Sequence, residues 1–161
     1  MLSILLPVYN FDIRAFVHSL HQQALESGVL FEILCIDDHS AEAYKVANKA
    51  VIQLEKVSYI ELAENIGRSK IRNLLATKAQ YEWLLFLDCD SKIAQGDFIK
   101  NYLLAADATS IVCGGTEYEN TRPLEIAQYL RWYYGPGHWE LPVVARGHLA
   151  ATLNGIEPKP E

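Results

Sequence analysis

Apolar positions along this chain fall into two alternating kinds of segment. Short apolar runs at Ser3–Leu6, Glu32–Ile36, Ser58–Glu61, Trp83–Leu87 and Ser110–Cys113 have the length of buried strands. The stretches between them repeat their apolar residues every three and four positions, the period of an amphipathic helix. The first carries Ile13, Phe16, Val17, Leu20, Ala24 and Leu25, and the second Val46, Ala47, Ala50, Val51 and Leu54. Ile71, Leu74 and Leu75 mark a third helix, and Phe98, Ile99, Tyr102 and Leu103 a fourth. Strands alternating with helices predict an α/β fold, a mainly parallel sheet flanked by helices on both faces.

Beyond Thr116 the pattern changes. A further helix is expected over about Leu124 to Tyr134, closed by Gly135-Pro136-Gly137, and Pro158-Lys159-Pro160 reads as a frayed end. We therefore expect one domain, with residues 1–115 as its ligand-binding core and residues 116–161 as a partial acceptor-side segment with a flexible C-terminus. At 161 residues such a domain buries roughly 70% of its unfolded surface.

An open parallel sheet binds ligands at the carboxyl ends of its strands. Four of the predicted strands run into polar residues there: Tyr9-Asn10, Asp37-Asp38-His39-Ser40, Asn65-Ile66-Gly67 and Asp88-Cys89-Asp90. Asp and Asn favour turns and helix caps in any protein, so one such ending means little. Four that converge on one sheet edge mean more. Asp88 and Asp90 are two residues apart; if strand geometry persists, both carboxylates project to one side, where a hard cation can be held with diphosphate oxygens. The alternative is a solvated pair capping the next helix. Cys89 between them reads as a packing residue, because Mg²⁺ and Mn²⁺ prefer oxygen.

The formal charge of −6 argues against nucleic-acid binding and means that an anionic ligand needs help from a metal. Cys35, Cys89 and Cys113 are odd in number and widely spaced, which suggests reduced thiols and a cytoplasmic setting. Met1 leads directly into Leu2-Ser3-Ile4 without a signal-peptide pattern, and no apolar run approaches the ~20 residues of a membrane helix. The expectation is a soluble, unexported protein, with peripheral membrane contact left open.

Ile4-Leu5-Leu6-Pro7-Val8-Tyr9-Asn10, Glu32 through Ser40, Asn65-Ile66-Gly67 with Arg72-Asn73, and Asp88-Cys89-Asp90 together resemble family 2 glycosyltransferases in order and spacing. The resemblance covers roughly the first two-thirds of the chain. It implies a GT-A (Rossmann-like) fold, a nucleotide-diphospho-sugar donor, expected to be a UDP-sugar, and Mn²⁺ or Mg²⁺ as cofactor. It also implies sugar transfer with inversion to a saccharide or lipid-linked acceptor, as in polysaccharide biosynthesis.

Residue by residue, the resemblance places Pro7, Tyr9 and Asn10 at the base pocket and lets Asp38 accept a hydrogen bond from the uracil imide. Asp37 is a buried structural carboxylate or a helper of that site. Asn65, Gly67 and Arg72 belong to the donor site, Arg72 facing base or phosphates; its alternative is a solvated helix residue. Asp88, Cys89 and Asp90 complete the site, with Asp88 and Asp90 as the metal residues.

An inverting transferase also needs a general base, and none is assigned. Glu117, Glu119, Glu125, Glu140 and Glu157 lack the family's Glu-Asp context, Glu117 being the best placed. The chain also ends early for a complete member, so a truncated transferase and a non-catalytic nucleotide-sugar-binding module both stay open.

Gln128-Tyr129-Leu130-Arg131-Trp132 matches a motif of processive synthases but lies too close to the Asp pair, which favours coincidence. The aromatic run Tyr129, Trp132, Tyr133, Tyr134 and Trp139 reads first as core, and His138 and His148 stay unassigned. A haloacid-dehalogenase-like phosphatase ranks lower, because its Asp motif belongs on the first strand. A dinucleotide-binding oxidoreductase is excluded by the lack of a Gly-rich turn after strand one.

Overall fold

The computed structural model describes residues 1–93, 96–106, 111–114 and 155–158. The expected helix over 124–134, the aromatic run, Glu117, Glu119, Glu125, Glu140, His138 and His148 lie outside those residues.

In chain order the elements are β1 (Leu2–Val8), α1 (Arg14–Glu26), β2 (Phe31–Asp37), α2 (Glu42–Asn48) with a 3₁₀ turn at Lys49–Gln53, β3 (Val57–Glu61) and α3 (Arg68–Lys78). Next come β4 (Trp83–Phe86), α4 (Phe98–Ala105), β5 (Val112–Cys113) and β6 (Gly155–Pro158). The sheet order is β3-β2-β1-β4-β6-β5. Strands β1 to β4 are mutually parallel, while β6 runs antiparallel to both β4 and β5. The fold is α/β, as the alternation of periods predicts. The pattern did not foretell β6, which falls where a frayed end was expected and pairs Trp83 with Pro158.

Helices cover both faces because alternate strand residues point to opposite sides. On one face Leu2, Ile4, Leu6, Val8, Ile33 and Cys35 pack with Val17 and Leu20 of α1 and Ile99 and Tyr102 of α4. On the other, Leu5, Leu34, Ile36, Leu84 and Phe86 meet Ile71 and Leu75 of α3. Burying one aliphatic side chain contributes about 1.5–3 kcal/mol, so these two faces supply most of the drive to fold.

The second amphipathic stretch departs from expectation. The α-helix stops at Asn48, and the turn that follows leaves Val46 and Ile52 exposed while Asn48 and Val51 go inside. A polar residue decides this register: the buried Asn48 Oδ1 accepts the Ile13 N–H at 3.1 Å, and its Nδ2 donates to the Phe11 carbonyl at 2.8 Å. In α1, Leu25 is likewise exposed. Among the described residues no helix is long and apolar enough to cross a membrane.

From β1 the chain steps outward through β2 to β3, then returns across the sheet to β4 on the other side of β1. The winding direction therefore reverses between β1 and β4. A crevice opens at such a switch point, beyond the carboxyl ends of the strands.

Candidate functional site

The crevice is an open cavity of about 460 Å³ lined by Pro7, Val8, Tyr9, Phe11, Asp38, Asn65, Gly67, Arg68, Ile71, Asp88, Cys89 and Asp90. That volume lies within the range of small-ligand sites. All four polar strand endings reach it. Tyr9 and Phe11 are exposed aromatic surfaces on one side, and the segment 88–90 after β4 carries the acids on the other.

Asp38 is nearly buried, and its carboxylate is committed to shaping the site. Oδ1 accepts the Ile66 N–H at 2.7 Å and Oδ2 the Gly67 N–H at 2.9 Å. Asn65 Nδ2 donates to the Asp38 carbonyl at 2.9 Å, so the loops after β2 and β3 form one unit. A carboxylate oxygen has two lone pairs, which leaves Asp38 capacity for one further donor from the cavity. Gly67, with φ +82° and ψ 163°, occupies backbone space that side-chain-bearing residues avoid, and it starts α3 at the cavity wall.

Asp37, one residue earlier, does not line the cavity. It is fully buried; Oδ1 accepts the Ser40 N–H at 2.7 Å and Oδ2 the Tyr59 hydroxyl at 2.7 Å. Of its two sequence readings, the structural carboxylate is the one the geometry shows. Burial, and then the bond to Asp37, push the Tyr59 hydroxyl well above its ordinary pKa. Asn10 does not line the cavity either. Its Oδ1 accepts the Ala41 N–H at 2.8 Å and its N–H donates to Ser40 Oγ at 2.8 Å, tying the loop after β1 to the start of α2.

Strand β4 ends at Phe86, and an Asp88 carbonyl to Ser91 N–H bond of 3.2 Å closes a turn over the acidic segment. The extended geometry expected through Asp90 is thus replaced by a turn, yet Asp88 and Asp90 both face the cavity. Asp88 Oδ1 lies 3.2 Å from Arg72 Nη1 and Oδ2 lies 3.1 Å from Arg68 Nη2. Arg72 does not line the cavity. Its guanidinium lies 4.7 Å from the Phe86 ring centroid, stacked there while it holds Asp88, so it is more than a solvated helix residue. Cys89 packs against the core as well as the cavity; burial pushes its thiol pKa up, partly offset by the Tyr9 backbone N–H, with the nearby Asp90 and Asp88 charges raising it further.

Sequence reasoning missed Arg68 and Phe11 as lining residues. The signal for Arg68 was present: it precedes Arg72 by four residues, which puts both guanidiniums on one face of α3.

A parallel sheet with its cleft at the switch point, an aromatic-lined wall and an Asp-x-Asp turn opposite a carboxylate define the GT-A class of glycosyltransferase folds. The sequence profile of glycosyl transferase family 2 matches residues 3–152, and the chain belongs to that family.

An uncharacterized glycosyltransferase of Haemophilus influenzae is 36% identical over 92 residues, which is 56% of this chain and 29% of the relative. The teichoic acid poly(glycerol phosphate) polymerase of Staphylococcus epidermidis is 27% identical over 97 residues, 58% of this chain and 13% of that protein. The chain thus spans less than a third of the length of either relative.

Among solved structures, S. aureus TarS residues 1–349 in complex with UDP-GlcNAc superposes with a TM-score of 0.63 at 23% identity, over 77% of this chain and 36% of that one. A mannosyltransferase from Pyrobaculum calidifontis, in complex with GDP-Man and Mn²⁺, superposes with a TM-score of 0.62 at 18% identity, over 73% and 35%. These likenesses establish the fold.

Proposed function

We propose that this chain is the donor-binding part of a glycosyltransferase that moves a sugar from a UDP-sugar to an acceptor hydroxyl with inversion. The observation that carries the reading is the meeting of Tyr9, Asp38, Asn65, Gly67, Asp88 and Asp90 in one cleft at the switch point.

Base recognition falls to the Tyr9 side of the cleft, where Asp38 has capacity left for a uracil imide N–H. The diphosphate lies towards Asp88 and Asp90, near the start of α3, whose N-terminal dipole favours negative charge. The solved relatives carry different nucleotides, UDP-GlcNAc in TarS and GDP-Man in the mannosyltransferase, so a carboxylate able to meet uracil is what favours UDP here.

The donor chemistry at the acidic turn fits a divalent ion. Asp90 is exposed to the cavity, Asp88 beside it supplies further carboxylate oxygen, and Mg²⁺ or Mn²⁺ characteristically takes one or two carboxylates plus phosphate oxygens. We assign Asp90 as direct ligand and Asp88 as partner to the ribose or to a bound water. The ion neutralises charge developing on the departing nucleoside diphosphate. Tyr9 and Phe11 shield the donor from solvent, and Asp38 keeps the 65–67 loop in place beneath it.

Residues 1–115 form the donor half of the domain and 116–161 its acceptor-side segment; the pairing of β6 with β4 supports a single unit. The acceptor is a saccharide or lipid-linked saccharide, and the setting is cytoplasmic.

Thermal unfolding of the full chain tests the reading. UDP with Mn²⁺ at about 100 times the dissociation constant stabilises by ~2.7 kcal/mol, a rise of several degrees in the midpoint. We expect that rise in the native chain, a smaller one with GDP, and none in Asp90→Ala. No rise with either nucleotide, or an equal rise in the variant, would sink the assignment.

A further inference from the structure

Charge in the cavity wall is unbalanced. The lining carries three carboxylates, Asp38, Asp88 and Asp90, and a single guanidinium, Arg68, among the described residues. A diphosphate entering this wall meets net negative charge, and the side chain best placed to receive it is already engaged with Asp88.

The two arginines on Asp88 differ in how firmly they are held. Arg72 is 20% exposed and stacked on Phe86, so its position is fixed by packing as well as by charge. Arg68 is 59% exposed, and the printed contact that ties it is the 3.1 Å ion pair to Asp88 Oδ2. An ion pair so open to water is weak, and a long side chain leaves it at little cost.

We infer that Arg68 is an exchange residue: it rests on Asp88 in the empty cleft and moves to the donor diphosphate when a divalent cation takes its place at Asp88 Oδ2. The inference rests on the donor-site reading above and adds to it a coupling between the two ligands. A cation approaching Asp88 must displace the Arg68 guanidinium, which is then left without its anion. A diphosphate supplies that anion in the forked geometry a guanidinium prefers. In the other direction, a diphosphate that draws Arg68 away frees the Asp88 oxygen for the cation. Each ligand therefore removes an obstacle to the other, and affinity is coupled reciprocally. Arg72 stays behind and keeps Asp88 oriented in both states.

Isothermal titration of the full chain with Mn²⁺ alone, UDP alone, UDP in the presence of Mn²⁺, and uridine alone tests this, in the native protein and in Arg68→Gln. The native chain is expected to bind Mn²⁺ about tenfold tighter with UDP present, within the ordinary range of coupling between sites. Arg68→Gln should bind Mn²⁺ alone more tightly than native and UDP alone more weakly, with the Mn²⁺ enhancement by UDP largely lost. Uridine, which has no phosphate, should bind both proteins equally.

Arg68→Lys restores charge without the fork and should recover part of the coupling; because Arg68 is exposed, a matching urea midpoint is expected for all three proteins. If native protein binds UDP with Mn²⁺ and Arg68→Gln shows the same enhancement, the exchange role is wrong and the donor site stands. If native protein binds neither UDP nor uridine, both the donor site and the exchange role fall.

Discussion

Asp38 Oδ2 accepts the backbone N–H of Gly67 at 2.9 Å, joining the residue after β2 to the residue that begins α3. The other oxygen takes the Ile66 N–H at 2.7 Å, so one carboxylate holds two successive amides. Asparagine cannot do the same, since its amide nitrogen would face one of the two N–H groups as a second donor. Asp38→Asn should therefore lose about 1.5–3 kcal/mol of stability, the worth of a hydrogen bond to a charged group, read as a lower urea midpoint at unchanged slope. A midpoint within error of native would show that the loop holds itself.

Gly67 gives an independent check on the same loop. A Cβ built there meets no atom within 4 Å, so any loss on Gly67→Ala comes from the backbone, held at φ +82° and ψ 163°. Such a conformation costs a side-chain-bearing residue of order 1–3 kcal/mol. The expected result is a drop of several degrees in the unfolding midpoint together with weaker UDP binding, because the 65–67 loop relaxes away from the cleft. Native stability in Gly67→Ala would mean the loop adopts another conformation without cost.

The parts of this structure legible in the sequence are those governed by short-range periodicity. Ile13, Phe16, Val17, Leu20 and Ala24 repeat at helical spacing and all are buried, and the first four strands lie within two residues of their expected limits. The cleft was legible because polar residues follow four strands whose topology a parallel sheet fixes. Where side chains made tertiary choices the reading failed. Val46 fits the apolar stripe, yet Asn48 takes the inside position because it satisfies two backbone groups of another segment. Asp37 and Asp38 are chemically identical neighbours, and the pleat alone sends one inward to Tyr59 and the other to the cavity. β6 pairs with β4 across more than 60 intervening residues, a separation at which local pattern carries no information.

Tyr59 donates its hydroxyl to Asp37 at 2.7 Å, and burial followed by that bond raise its pKa above the ordinary value near 10. A folded-state pKa raised above the unfolded one contributes stability that is full below about pH 10 and fades as pH climbs towards the folded value. Tyr59→Phe removes both the bond and the linkage. At pH 8 the variant should be less stable by about 1–3 kcal/mol, because Asp37 loses a donor inside the fold. Between pH 10 and 11 the gap should narrow, since native protein alone loses this contribution there. Urea unfolding at three pH values measures it, and a gap that stays constant or widens would refute the linkage.

Cys89 and Cys35 differ in exposure: Cys89 lines the cavity, while Cys35 is completely buried in the core. Both thiols have pKa values raised chiefly by burial, and the nearby Asp90 and Asp88 charges raise that of Cys89 further. Because the thiolate is the reactive form, a raised pKa lowers its fraction at pH 7 and delays reaction to higher pH. Iodoacetamide should therefore modify Cys89 slowly at pH 7, and the rate should keep rising above pH 8.5, where an ordinary thiol begins to level off. Cys35 should react only on unfolding. UDP with Mn²⁺ should protect Cys89 without altering Cys35, which peptide mass spectrometry can follow residue by residue. Equal labelling of Cys89 with and without both ligands, under conditions where they raise the unfolding midpoint, would place the bound donor away from the Asp88–Asp90 turn.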